Sequence, residues 1–250
     1  MSAPVFPDAA LDGVLLSQVH PFLRVMDIGA VDAEVPTIEI DFALLSPDPL
    51  VRREAMTRVR TWAQGRRLTL SDQPGRFLLV RLAAPPLLDS VLCWTAPLHL
   101  TLAADGPCCW QADTQTTATR DAQYSAQTSD WRAELSLTLE GNAARTPVDM
   151  TLRNTGDAPM QLVSLRAGST MILLTGLAVP PGGEVWLRHD AERDTPAFWA
   201  MVGDTPESLL SCRSAASSDD LLLPCGAAGQ VIVIADQPFS CIAHAAARWL

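Results

Sequence analysis

Residues 46–82 read SPDPLVRREAMTRVRTWAQGRRLTLSDQPGRFLLVRL, and the run predicts a helix, a stop and a β-hairpin in immediate succession. Asp48 is an N-cap type whose carboxylate accepts from the free N–H groups of a first turn. Pro49 suits the first helical position, where its missing N–H would have no partner anyway. Beyond Leu50, Ala55, Val59, Trp62 and Ala63 recur at spacings of three and four and form one apolar stripe. Arg52, Arg53, Arg58 and Arg60 are placed on the other sides, giving an amphipathic helix of about four turns. Gly65 is read as the stop, a residue able to take positive φ. Arg66 and Arg67 fall where the negative end of the helix dipole favours cations. Arg67–Leu70 and Arg76–Leu82 are strand-like, and Ser71-Asp72-Gln73-Pro74-Gly75 between them is dense in turn formers.

Outward from this run the signals are uneven. Residues 1–34 give only Val14-Leu15-Leu16 and the stretch from His20 to Val25 as short strands. From Val35 to Leu45, Ile38, Ile40 and Phe42 alternate with Glu39 and Asp41, the period of a strand with one buried face. After Ala83-Ala84-Pro85-Pro86, the stretch from Leu87 to Trp94 reads as a short strand or buried connector, and Leu98–Leu102 alternates again. The expectation for 1–112 is an α+β unit, a small antiparallel sheet with one helix lying on it. Gln111 to Arg120 has no apolar period and reads as a connector or a first exposed edge.

Beyond it, strands are expected at Arg132–Leu139, Val148–Asn154, Met160–Ala167, Thr170–Leu174, Glu184–His189, Phe198–Val202 and Val231–Ala235, with turn signals between. That rhythm predicts an all-β sandwich over 113–250. Trp131, Trp186 and Trp199 are expected to fill the gap between its sheets. The fold class is therefore mainly β.

The chain of 250 residues carries a formal charge of −10, which argues against nucleic-acid binding, a function that needs clustered positive charge. No apolar run approaches the roughly 20 residues of a membrane span, and MSAPVFPDAALDG lacks the features of a secretion signal, so cytoplasmic synthesis is expected. Every basic residue is Arg. Residues 51–81 hold eight of them against Glu54 and Asp72, a local +6 inside an acidic chain. Two readings stand: a solvated face whose stems cover apolar surface, or a contact patch of Arg52, Arg53, Arg58, Arg60, Arg66 and Arg67 that meets an acidic neighbour.

Catalytic, metal-binding and cofactor chemistry finds no support. Cys93, Cys108, Cys109, Cys212, Cys225 and Cys241 include no C-x-x-C pair, and buried thiols are expected. Gly168-Ser169 lacks the second glycine of a nucleophile elbow. His20, His99, His189 and His244 are scattered. The loop His189-Asp190-Ala191-Glu192-Arg193-Asp194 lacks the ligand spacing of a calcium site, and no glycine-rich phosphate loop is present. A sandwich with Trp and Tyr124 available leaves carbohydrate binding open as an alternative.

The order of the helix ending near Trp62, Gly65, the LTLSDQPGRFLLVRL hairpin, EGNAARTPVDMTLRNTG and the chain end HAAARWL resembles the siphophage distal tail protein family. The positions that carry the likeness are Trp62, Gly65, Pro74, Gly75, Gly141, Asn142, Pro147, Arg248 and Trp249. Pro224-Cys225-Gly226 departs from a Pro-Gly turn by one residue. The resemblance implies a ring-forming belt domain followed by a galectin-like sandwich, in a non-enzymatic adaptor at the virion tail tip. It implies a homo-hexameric ring that meets the tail tube protein and the baseplate hub or tail-lysin protein, with receptor-binding and tape-measure proteins as further partners. It carries no catalytic, cofactor or metal residues.

Overall fold

The computed structural model describes residues 7–30, 37–85, 97–106, 109–190, 195–202 and 205–250. The chain divides into two units, Met1–Asp113 and Thr114–Leu250. Cys93, Cys108, the run from Leu87 to Trp94 and residues 191–194 lie outside the described residues.

The first unit contains β1 (Ala9–Leu11), β2 (Val14–Leu15), α1 (Leu16–Val19), β3 (Leu23–Ala30), β4 (Thr37–Leu44), α2 (Pro49–Trp62), β5 (Arg67–Leu70), β6 (Arg76–Ala84), β7 (Leu98–Ala104) and the start of β8 (Trp110–Asp121). Helix α2 starts as its sequence demands. Asp48 is extended and its side chain accepts from Leu50 N at 2.8 Å, with Pro49 following it. Arg52, Ala55, Met56, Val59 and Trp62 form the buried face. Ala55, Met56, Val59 and Trp62 share one core with Ile38, Ile40 and Phe42 of β4 and Leu100 and Leu102 of β7. The strands run antiparallel in the order β3-β4-β7-β6, and β6 continues through β5 and β1 to β2.

Gly65 ends the helix for a different reason from the one expected. It is not among the positive-φ residues. A Cβ there would stand 2.8 Å from Leu11 Cβ and 2.9 Å from Asp12 Oδ2, so the glycine lets β1 pass close to the helix end. Trp62 completes this junction by donating from Nε1 to Val14 O at 2.6 Å. The hairpin forms as read, with Arg67 opposite Leu79 and Leu68 opposite Leu78.

The stretch from Gln111 to Arg120 is not a connector but the body of β8. In the first unit its start pairs with β6, Ala112 facing Arg76. From Thr114 on it belongs to the second unit, beside β20 (Phe239–Trp249). Most of its residues are exposed, so no apolar alternation marks it.

The second unit adds β9 (Gln123–Ser125), β10 (Asp130–Thr138), β11 (Thr146–Pro147), β12 (Asp149–Asn154), β13 (Met160–Ala167), β14 (Thr170–Val179), β15 (Glu184–Asp190), β16 (Thr195–Val202), β17 (Thr205–Ser208), β18 (Leu222–Leu223), β19 (Ala228–Ala235) and β20. One antiparallel sheet has the order β14-β13-β19-β10-β9; the other runs β17-β16-β15-β12-β20-β8. Their inward residues make one core, Leu135, Val163, Leu165, Val231 and Val233 meeting Met150, Leu152, Leu187, Phe198 and Phe239.

The tryptophans do not fill this core. In β15 and β16 the inward positions belong to Val185, Leu187, Phe198 and Ala200, so Trp186 and Trp199 take the other face. Trp199 is 39% exposed. Trp186 is half-buried, its Nε1 donating to Glu184 Oε2 at 2.7 Å and the Arg188 guanidinium lying 5.4 Å from its ring. Trp131 packs at the core margin. Cys241, on an inward position of β20, is buried. Burial, helped by nearby Asp121 and opposed by its bond to Arg120 O, pushes its thiol up to about 12.

Three distant segments meet at the end of β20. Asn142 N and Ala143 N donate to Arg248 O at 3.1 and 3.2 Å, and Leu250 N donates to Asn142 Oδ1 at 2.8 Å. Cys225 N donates to Ala143 O and Gly226 N to Leu139 O. Pro224-Cys225-Gly226 is thus a bend held by long-range backbone bonds, with Gly226 at φ +78°.

Candidate assembly interface

Of the six arginines read as one patch, Arg52 does not reach the surface. Arg52 is 3% exposed and donates from Nη1 to Ser46 O at 2.6 Å, inside the unit and away from any neighbour. Its spacing from Ala55, Met56 and Val59 puts it on the helix's apolar stripe, a signal present in the sequence. Arg58 pairs with Glu54 four residues earlier at 2.6 Å. Arg66 pairs with Asp105 at 3.2 Å, and Arg67 pairs with Asp113 while its guanidinium lies 4.3 Å from the Phe77 ring centroid. Arg53 is exposed and Arg60 partly so. Three of the six, Arg58, Arg66 and Arg67, are thus paired with carboxylates within the unit.

Apolar exposure is the stronger feature of this unit. Leu45 N donates to Phe22 O at 2.8 Å, which sets the two loops side by side, and Leu50 follows in the first turn of α2. Pro21, Phe22, Leu45, Pro47, Pro49 and Leu50 are all exposed, Leu50 at 71%. Contiguous exposed apolar groups of this kind mark contact surfaces. Towards the other end of α2, a shallow cavity of about 350 Å³ is lined by Leu11, Val14, Val19, Arg58 and Trp62 among others. Neither feature was found from sequence, because the apolar residues come from separate loops.

The scattered histidines resolve into local pairs. His99 Nδ1 is bonded to Asp41, His189 Nδ1 to Asp220 at 3.2 Å, and His244 Nδ1 to Thr117 Oγ1 at 2.9 Å. Among the described residues, no group of His, Cys, Asp or Glu is arranged to hold a metal ion. Asp149 accepts from His189 N at 2.8 Å. Burial raises its pKa above the ordinary 3.8, opposed by that backbone bond and by Arg188, His189 and His244. A carboxyl with a raised folded pKa contributes stability below its unfolded pKa and loses it as pH rises through the folded value. Asp149→Asn keeps an acceptor for His189 N and removes this titration. The melting temperature of the variant is therefore expected to gain on the wild type as pH rises from about 4 to 7. A constant difference across that range would show that Asp149 does not titrate in this way.

No protein-family model and no curated protein matches the sequence. Among solved structures, the crystal structure of the Dit (gp 19.1) protein of phage SPP1 aligns at a TM-score of 0.65 and 12% identity, over 98% of this chain and 100% of that one. The chain has the Dit fold. SPP1 Dit is described as a paradigm of the hub adsorption apparatus in phages infecting Gram-positive bacteria. Two structures of the phage P2 baseplate in its activated conformation, with Ca and with Sr, align at a TM-score of 0.45 with 8% and 9% identity. They cover 97% and 96% of this chain and 98% of each of those chains. What this chain shares with SPP1 Dit at 12% identity is the fold. The Dit fold is mainly β here, with α2 the one helix longer than four residues among the described residues.

Proposed function

We propose that this protein is a structural adaptor of a long non-contractile phage tail tip. In this reading its first unit assembles with copies of itself into a ring, most simply a hexamer, that joins the tail tube protein to the baseplate hub or tail-lysin protein. Receptor-binding and tape-measure proteins are further candidate partners, and the virion tail tip is its location. The supporting observation is the correspondence with a phage hub protein, which covers 98% of this chain and 100% of that one and so takes in both units. The exposed apolar loops around Phe22, Leu45 and Leu50 agree with it, since a closed ring needs a contact surface on every copy. The test is the mass of the purified full chain at micromolar concentration, with electron microscopy of the same sample. The expected result is a species near six times the 26.9 kDa chain and ring-shaped particles. A 26.9 kDa monomer that also fails to bind tail tube protein would overturn the reading.

A further inference from the structure

Strand β10 of the second unit has one paired side and one side left mostly open. Its register with β19 runs unbroken from Trp131, opposite Ala235, to Thr138, opposite Ala228. On the other side β9 pairs only as far as Gln123, opposite Arg132, and among the described residues no strand continues beside residues 133–138. Leu139 O accepts from Gly226 N at 2.8 Å, on the β19 side. Backbone groups alternate along a strand, so Leu135 and Leu137 also face β19, while Glu134, Ser136 and Thr138 turn N–H and C=O to the open side. All three are exposed, and no described residue bonds those backbone groups. A cavity of about 400 Å³ marks the place where β9 stops. Its wall includes Tyr124, which faces Trp131, and Gln123, which faces Arg132. These two pairs lie on opposite faces of the sheet, so the cavity opens at the edge and not on either face.

Two other edges of this unit are guarded. Along β14, Ser214 N and Ser218 N donate to Leu173 O and Met171 O, and the hydroxyls of Ser217 and Ser218 accept from Leu173 N and Met171 N. Strand β17, at the end of the other sheet, is four residues long and contains Pro206. A bare edge is a template for a further strand, and folds blunt it with cover, proline or shortness. Residues 133–138 have none of the three.

We infer that the β10 edge receives an extended segment of another protein chain, added antiparallel as the next strand. This is how every other pairing in that sheet is made. The chemistry of the segment follows from the parity of β10. Its side chains opposite Ala133, Leu135 and Leu137 point to the core side and are apolar. Those opposite Ser136 and Thr138 stand on the watery face, where hydroxylic side chains pair well across strands. Glu134 is already held by Arg132 and by Gln230 Nε2 at 2.8 Å. Glu140, exposed on the same parity, has no ion pair among the described residues, so a cation opposite it completes the match. The inference does not rest on ring formation.

The probe is a heptapeptide, Lys-Val-Thr-Val-Thr-Val-Thr, labelled with fluorescein at its C-terminus. Antiparallel pairing sets its Lys opposite Glu140 and its threonines opposite Thr138, Ser136 and Glu134. Anisotropy titration into the full-length protein is expected to give a Kd on the order of 0.1 mM. N-methylation of the three threonines removes the N–H groups that face β10 and should weaken binding tenfold or more. N-methylation of the three valines, whose N–H groups face away, should leave it within about twofold. Ser136→Pro removes a donor on the open side, where a sheet edge accepts proline, so binding should be lost with circular dichroism unchanged. Glu140→Gln should weaken binding about threefold at low salt, as for an exposed ion pair. Hydrogen exchange should slow over residues 133–139 when the peptide is added. The inference fails if the peptide does not bind, if both N-methylated peptides bind alike, or if another segment is protected. An edge already protected in the protein alone, in an assembly that Ser136→Pro halves in mass, would give the place to a second copy and equally overturn it. Peptide binding leaves the ring mass unchanged, so the adaptor reading is tested separately.

Discussion

Gly141→Ala should destabilise the second unit by about 3 kcal/mol or more, seen as an early shift of its denaturant transition. Gly141 sits at φ +101°, a region that costs an L-residue free energy whatever surrounds it. Space makes matters worse. A Cβ there would stand 2.2 Å from Arg248 O and 3.0 Å from Arg248 C, and both are backbone atoms that no rotamer change can move. Arg248 O is also the acceptor for Asn142 N and Ala143 N, so pushing it away breaks those bonds and frees the end of β20. The inward Ala245 and Ala247 of that strand are buried and would be exposed with it. Asn142→Ala is the control, because it removes the side-chain bond to Leu250 N without forcing any atom to move. It should cost about 1 kcal/mol. A Gly141→Ala loss no larger than the control's would show that the two segments can separate without harm to the sandwich.

This clasp also shows what the sequence discloses. Glu140-Gly141-Asn142 reads as a turn, and HAAARWL has no obvious role. Their contact is a long-range fact that only the fold reveals. Helix α2 and its hairpin are legible because the cap, the apolar stripe and the turn residues all agree over 37 consecutive positions. Strand β1 is not, since a strand of three residues exists only through pairing with β5 and β2, whereas Val14 and Leu15 of β2 read as strand. Strand β20 alternates faithfully, Phe239, Cys241, Ala243, Ala245 and Ala247 inward, but alanine and cysteine give a weak apolar signal. Strand β8 fails for the opposite reason, being exposed along most of its length.

The tryptophans show a third limit. Size argues for the core, but in β15 and β16 the parity of neighbouring residues decides, and smaller residues hold the inward places. The proposed contact surface was half legible. The density of arginine is plain in the sequence, but which of them are already paired is not. Glu54 is a sequence neighbour of Arg58, whereas Asp105 and Asp113 come from 39 and 46 residues away from Arg66 and Arg67.

That pairing shapes the second large expected effect. Replacing Phe22 by Ser and Leu50 by Glu together should convert the assembled protein to the 26.9 kDa monomer without unfolding it. Leu50 is 71% and Phe22 43% exposed in the single chain, and neither belongs to the unit's core, so little core packing is lost. Glutamate in the first turn of α2 also interacts well with the positive end of the helix dipole. Burying a Phe or Leu side chain at a contact contributes about 1.5–3 kcal/mol each, and a carboxylate placed there adds a desolvation cost, so each contact weakens by several orders of magnitude in affinity. In a closed ring every copy carries the change at its contact. Replacing Arg53, Arg58 and Arg60 by Gln should do much less, because exposed ion pairs are worth about 1 kcal/mol or less and Arg58 already has Glu54. The two variants separate the readings when masses are compared at low and high salt. An intact assembly in the Phe22 and Leu50 variant would remove the apolar loops from the contact. Dissociation of the arginine variant alone, or dissociation of wild type by salt, would return the contact to the basic face of α2.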